Sequence, residues 1–479
     1  MRFSKKASVS LLVIMATFCV ACSTQKTSQD TDVKGVDTEI EMSLSTLQET
    51  DKDDIQIIDI REQHQFIGWD TDKSEGGHIE GAIDFPKSWL SIEENKSKIN
   101  NELKRREIDT SRKTVIYSDN NVETSTYEEF KELGFEELYV LEGGFNEYVE
   151  QDLEVEKMDN YQVLVHPEWV YDLVEDKKPK TFENEEYKVI EVDFGKDKGD
   201  YEKGHIPTAI TIDDSLNHIE GERILPNYDK MPDEQKFSYW NRPSDEVIKS
   251  RLEEMGITKD TTVVLYGQNT TAAARLGVVM MYAGVEDVRL LNGGKALVKS
   301  MDMPLEEGIN EYIPVTDFGV QVPSKPEILI DYEEELELVE DTENAVIASV
   351  RSFVEYKGEK SGYTYIGKPG EIKNSRFAYA GSDPYNMEDY RNIDDTMFNY
   401  NLMADRWDKW GITEDKKISF HCGTGWRASE TYFYALAMGY ENMCVYDGGW
   451  YEWHLKENAP KMEKGLPQDA PETEPNSFF

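Results

Sequence analysis

Residues 417–438 read KISFHCGTGWRASETYFYALAM. Ile418 to His421 is a short apolar run and predicts a strand. Cys422-Gly423-Thr424-Gly425-Trp426-Arg427 follows as a glycine-rich turn. Tyr432, Ala435 and Leu436 then fall on one face of a helix pattern. A cysteine between a strand end and a helix start has a chemical meaning. Backbone N–H groups of the turn point at the sulfur, and the helix dipole adds partial positive charge there. Both favour the thiolate, which is the nucleophilic form. Arg427 brings a fixed positive charge to the same loop. The alternative, a core cysteine, fits poorly with two glycines and an arginine as neighbours.

The end of this stretch belongs to a motif that occurs three times. Leu133 to Phe145 (LGFEELYVLEGGF) recurs as Ala283 to Lys295 (AGVEDVRLLNGGK) and as Met438 to Trp450 (MGYENMCVYDGGW). The first Gly precedes the Gly-Gly pair by nine positions each time: 134 to 143, 284 to 293, 439 to 448. A C-terminal Gly ends a helix, a short strand follows, and Gly-Gly makes a tight turn. Upstream, each copy has a strand leading into a loop: Thr114 to Tyr117, Thr262 to Tyr266 and Ile418 to His421. Further upstream lie Gly77-His78-Ile79-Glu80-Gly81-Ala82-Ile83 and Gly204-His205-Ile206-Pro207-Thr208-Ala209-Ile210. The third copy keeps only Gly370-Glu371-Ile372 there. Each copy opens with an apolar strand, Ile55 to Ile60, Tyr187 to Val192 or Ala345 to Val350. Strands alternating with helices predict an α/β fold with a parallel sheet, flanked by helices, in each unit.

The length of 479 residues agrees with roughly three domains. The units fall at 36–158, 160–318 and 322–462, with a Pro- and Glu-rich tail at 463–479. Unit two carries an insertion, Asp213 to Pro243, ending near Trp240-Asn241-Arg242. It reads as a surface loop, with an interdomain contact as the alternative. Counting back from the Gly-Gly turns aligns Cys422 with Gly267 in unit two and Ser118 in unit one. Neither has a thiol, and Ser118 has no evident base. Units one and two are therefore expected to be inactive, serving as structural or interface-forming copies.

The N-terminus is an export signal rather than fold. Arg2, Lys5 and Lys6 precede the apolar run Ala7 to Ala21. Cys19-Val20-Ala21-Cys22 resembles a bacterial lipobox, which would make residues 1–22 a lipoprotein signal peptide with Cys22 lipidated. An ordinary signal cut near Ala21 is the alternative. About 15 apolar residues are too few for a spanning helix. Residues 23–35 form a polar tether. The expected location is the extracytoplasmic face of the cell membrane, held only through this lipid. A net charge of −44, from 52 Lys+Arg against 96 Asp+Glu, argues against nucleic acid or an anionic membrane surface as partner. With Cys22 processed, Cys422 and Cys444 alone remain in the folded part. That is no disulfide framework, and Cys444 sits in an apolar strand as a packing residue. The seven histidines show no ligand spacing with cysteines, so no metal is expected, and no nucleotide fingerprint or other cofactor motif is present.

The repeated Gly-His-Ile-x-Gly-Ala-Ile, the Gly-Gly turn and Cys422-Gly-Thr-Gly-Trp-Arg427 together resemble the rhodanese (sulfurtransferase) family. The resemblance covers nearly all of the mature chain, as three tandem rhodanese-like domains with the last one catalytic. It is most similar to exported bacterial three-domain sulfurtransferases. The resemblance implies that Cys422 takes a sulfane sulfur from a small anionic donor (thiosulfate, 3-mercaptopyruvate or polysulfide). The resulting persulfide would pass sulfur to a thiol or cyanide. Gly423, Thr424, Gly425 and Trp426 would supply the N–H cradle, and Arg427 would stabilise the anion or persulfide. Asp59-Ile60-Arg61 of unit one becomes Ser349-Val350-Arg351 in unit three, where Arg351 is a matching position that would orient the loop. The two-domain thiosulfate enzymes have a further substrate arginine just downstream, where this chain has Glu355-Tyr356. Arg376, Arg391 and Arg406 are candidate replacements.

Two other readings compete. Cysteine phosphatases and arsenate reductases wrap a tetrahedral oxyanion with five residues between Cys and Arg. Only four separate Cys422 from Arg427, which suits a single sulfur atom. A non-catalytic tethered scaffold or sulfur-binding protein is the second, since two copies already lack the thiol.

Overall fold

The computed structural model describes residues 40–92, 95–192, 200–212, 230–462, 464–467 and 469–471. The expected signal peptide, tether and Cys22 lie outside the described residues, as do most of the tail and much of the unit-two insertion.

Three five-stranded parallel sheets follow one another along the chain. The first holds β1 (Glu41–Met42), β2 (Gln56–Asp59), β3 (Ile83–Asp84), β4 (Thr114–Tyr117) and β5 (Leu138–Leu141). The second holds β6 (Leu164–Val165), β7 (Tyr187–Glu191), β8 (Ile210–Thr211), β9 (Thr262–Tyr266) and β10 (Asp287–Leu291). The third holds β11 (Leu329–Ile330), β12 (Ala345–Ser349), β13 (Arg376–Phe377), β14 (Lys417–His421) and β15 (Met443–Tyr446). The order is the same in each: first, fifth, fourth, second, third. The strands predicted from the repeats are all present. Their central members are buried along nearly their whole length, as expected of parallel strands covered by helices on both faces.

The Gly-Gly turn has the same task in each copy. Its second glycine has positive φ: +65° at Gly144, +55° at Gly294 and +52° at Gly449. A Cβ on Gly449 would stand 2.7 Å from the Cys422 carbonyl oxygen, so no side chain fits. The next amide donates to the aligned loop: Phe145 N to Ser118 O at 2.9 Å, Lys295 N to Gly267 O at 2.9 Å, Trp450 N to Cys422 O at 2.8 Å. These three bonds place Ser118, Gly267 and Cys422 at equivalent positions.

The helix after Cys422 spans Trp426–Ala437 and is not amphipathic in its setting. It is buried nearly all round, well beyond the single face marked by Tyr432, Ala435 and Leu436. The cause is helix Thr270–Ala283 of unit two, itself wholly buried, which packs against it. They pack tightly at Gly277, where a Cβ would meet the Phe433 ring at 2.4 Å. Units two and three therefore share one apolar core, which unit one joins through Trp69 against Trp169 and Phe66 against Tyr400.

Candidate functional site

Gly425 turns the chain from β14 into the helix with φ +80°. A Cβ there would meet Asp447 O at 2.9 Å. The loop is fixed further by Tyr451 N donating to Gly423 O at 2.9 Å and by Ser429 Oγ donating to Gly425 O at 2.8 Å. Cys422 is fully buried. Its side chain lies within electrostatic reach of Tyr363, Tyr365 and Arg427. All three line a cavity of about 240 Å³, together with Thr424 and Trp426 from the loop.

The remaining walls are aromatic and partly foreign to unit three. Tyr385 stands at the mouth, 70% exposed, and meets the Tyr363 ring edge-on at 5.3 Å. Trp240, from the end of the unit-two insertion, stacks on Tyr365 at 5.2 Å, and its carbonyl accepts from Trp426 Nε1 at 3.0 Å. Asn269 and Thr271, from the unit-two loop aligned with the cysteine loop, complete the lining. The described end of the insertion, Trp240 to Arg242, is thus a wall of the candidate site and an interdomain contact rather than a free surface loop. Arg242 holds this end in place, since it pairs with Asp331 at 2.7 Å and with buried Asp447 at 3.3 Å.

Arg427 is not a free cation. It is 2% exposed and donates both terminal nitrogens to Glu355, at 3.0 and 3.1 Å. Burial alone would push the Glu355 carboxyl up. Arg427, Arg351 and hydrogen bonds including that from Ser352 outweigh it, and hold the carboxyl down at about 2. Arg351 does not line the cavity. Its guanidinium is fully buried and contacts Gly370 O at 2.7 Å, Glu371 at 3.1 Å and Glu355 at 3.4 Å. Arg351 therefore ties the loop's supports together. The proposed replacement arginines are also elsewhere. Arg376 pairs with Asp469, Arg391 with Glu430, and Arg406 lies over Phe398.

The apparent drift of the third copy is a compensated exchange. In unit one, Asp59 pairs with Arg61 at 2.6 Å, and Arg61 Nη2 donates to Gly77 O at 2.5 Å. In unit three, Ser349 replaces Asp59 and Glu371 replaces His78. Glu371 returns the missing carboxylate: it accepts from Ser349 Oγ at 2.7 Å and from Arg351 at 3.1 Å. It also lies 3.1 Å from His421 Nε2, so that His421 faces Glu371. Cys444 packs in β15, where burial pushes its thiol up to about 12. Among the described residues no His, Cys, Asp and Glu group could hold a metal ion.

Sequence reading missed Tyr363, Tyr365, Tyr385 and the unit-two wall. The tyrosines lie in irregular segments with no periodicity, and the wall depends on how two units dock.

The model of the rhodanese-like domain matches residues 44–151, 166–300 and 332–456. The chain belongs to the rhodanese family, as a three-domain member, and is a rhodanese-like sulfurtransferase. It is 35% identical over 417 residues to the thiosulfate sulfurtransferase YnjE of Escherichia coli, covering 87% of this chain and 90% of that one. It is 30% identical over 298 residues to the sulfur carrier protein TtuD of Thermus thermophilus, covering 61% of this chain and 93% of that one. Among solved structures it is similar to the anaerobic ergothioneine biosynthesis enzyme of Chlorobium limicola in complex with its natural substrate, trimethyl histidine. The TM-score is 0.80 and the identity 34%, covering 89% of this chain and all of that one. A structure of EanB, equally similar, holds a cysteine persulfide in a tetrahedral intermediate state with ergothioneine.

Proposed function

We propose that Cys422 carries a persulfide and that the acceptor is a small heteroaromatic bearing a quaternary ammonium group, of the trimethylhistidine kind. The observation that carries this reading is the cavity beside Cys422. Five of its lining side chains are aromatic (Trp240, Tyr363, Tyr365, Tyr385 and Trp426), and its one charged group, Arg427, is already paired. Aromatic faces attract a quaternary ammonium ion through their quadrupoles and can stack on a flat ring. A spacing supports the same assignment. The tyrosine and the threonine substituted in the EanB structures stand 59 positions before and two after its persulfide cysteine. Tyr363 and Thr424 stand at those spacings from Cys422.

In the transfer step the outer persulfide sulfur bonds to a ring carbon and the S–S bond breaks. Cys422 leaves with the electron pair, and the ring C–H proton is lost. Gly423 to Trp426 shape the loop around the sulfur. Arg427, at the cavity wall, and Arg351 below it are joined through Glu355 and hold the loop in place.

A second reading is favoured by the E. coli relative: transfer from thiosulfate to a small thiol or cyanide. One experiment separates them. The full chain is loaded with polysulfide and offered trimethylhistidine, cyanide or a small thiol, and sulfur-containing products are followed by mass spectrometry. The first reading requires trimethylhistidine to gain one sulfur atom, dependent on Cys422. Product from cyanide or thiol alone favours the second.

We also propose that the chain is tethered outside the cell membrane by a lipid on Cys22. The lipobox-like Cys19-Val20-Ala21-Cys22 supports this.

A further inference from the structure

The Glu355 carboxylate sits where it sets the charge of the sulfur loop. It is 1% exposed, bidentate to Arg427 at 3.0 and 3.1 Å, and 3.4 Å from Arg351. Ser352 fixes it through its amide at 3.0 Å and its hydroxyl at 2.8 Å. Gly362 leaves room for it: a Cβ there would stand 2.2 Å from Glu355 Oε1, so no larger residue fits beside the carboxylate. Glu371 offsets Arg351 through a single contact at 3.1 Å and also faces His421. Arg427, Arg351, Glu355 and Glu371 therefore sum to zero. The cavity holds no further cation among its lining residues, and the chain as a whole carries −44.

A donor must bring its sulfane sulfur to the Cys422 thiolate. Thiosulfate brings two negative charges packed into one small group. The Sγ–S bond forms, the S–S bond breaks, and sulfite leaves with the electron pair as a dianion. A hydropersulfide of a small neutral thiol brings at most one charge. The same Sγ–S bond forms, the proton stays on the transferred sulfur, and the thiolate of the small thiol leaves with the pair. A site with no net positive charge offers the dianion little attraction and opposes it with the thiolate.

Resting on the Cys422-carrier reading, we infer that Glu355 is the donor-selecting residue: by cancelling Arg427 it disfavours compact dianionic donors such as thiosulfate and leaves singly charged persulfide donors favoured. Glu355 touches no reacting atom; it acts through Arg427.

The test follows the one-sulfur adduct on Cys422 by intact mass, in the full chain, at equal concentrations of thiosulfate and of the hydropersulfide of 2-mercaptoethanol. The wild-type chain should load at least tenfold faster from the hydropersulfide. Glu355→Gln should narrow that ratio at least tenfold, chiefly by faster loading from thiosulfate, and Glu355→Asp should retain the wild-type ratio. Equal loading of the wild type from both donors overturns the inference, whether or not the Gln variant folds. So does an unchanged ratio in a folded Glu355→Gln chain. If neither donor nor polysulfide adds sulfur to the wild type, the carrier reading itself falls and the inference falls with it.

Discussion

Glu335 offers a stability test whose sign and size come directly from its surroundings. It lies on the helix Tyr332–Glu340, fully buried against β14, where Ser419 Oγ donates to its Oε2 at 2.5 Å. Among the described residues Oε1 has no hydrogen-bond partner. Burial pushes the carboxyl up to about 8, with Ser419 and Lys417 opposing only in part. The ordinary value is 4.5. Between these two values the unfolded chain has lost the proton and the folded chain keeps it. The folded state binds more protons there, so stability falls as pH rises, and the loss is complete above about pH 8. A shift of about 3.5 units at about 1.4 kcal/mol each gives roughly 4–5 kcal/mol as an upper figure. Glu335→Gln keeps the shape and cannot ionise, so it should lack this loss. Denaturant midpoints of both chains at pH 5, 6.5 and 8.5 would measure it. The two proteins should be close at pH 5, and the variant clearly more stable at pH 8.5. Parallel profiles, or a variant weaker at high pH, would refute the reasoning.

Other expectations are simpler to check. Cys422→Ser should abolish sulfur transfer and leave circular dichroism unchanged, whereas Ser118→Ala should change turnover little; residual turnover in the Cys422 variant would sink the mechanism. Trp240→Ala removes one aromatic wall but keeps the carbonyl that Trp426 uses. Loss of a cation–π partner worth about 0.5–2 kcal/mol should raise the acceptor KM by roughly 2–30-fold, with sulfur loading unchanged. A loading defect at constant acceptor KM would show that Trp240 supports the loop instead. Cys22→Ser should release the chain from the membrane fraction and block incorporation of labelled fatty acid; continued labelling would refute lipidation there.

The sheets were legible because each repeat states its own strand, turn and helix in consecutive residues. The equivalence of Cys422, Gly267 and Ser118 could be counted out, since one hydrogen bond from the Gly-Gly turn fixes the register in all three. The exchange of Asp59 and His78 for Ser349 and Glu371 was not legible. In unit three the two positions are 22 residues apart, and only the side-chain contact between Ser349 and Glu371 shows that the carboxylate was kept. Arg427 read as a free cation because its partner, Glu355, lies 72 residues upstream. The aromatic cavity was hidden for a related reason. Its walls come from two units, and no local pattern encodes the docking of one on the other.

That docking decides whether unit three can stand alone. Asp447 pairs with Arg275 and Arg242 of unit two, yet in an isolated unit three it would meet water, so the lost ion pairs nearly cancel. The apolar surface does not cancel. Phe433 packs on Gly277, and Trp426 meets Trp240 edge-on. Phe398 lies under Arg105 and Arg106 of unit one, and Tyr400 packs against Phe66. Exposing four such aromatics costs roughly 6–12 kcal/mol at about 1.5–3 kcal/mol each. That is comparable to the whole stability of an ordinary domain, about 5–15 kcal/mol. The fragment 322–462 expressed alone should therefore aggregate or unfold without a cooperative transition, and adding units one and two in the same chain should restore both folding and turnover. A soluble, monomeric fragment with a sharp unfolding transition would show instead that the two thiol-free copies serve only to build the wall of the acceptor cavity.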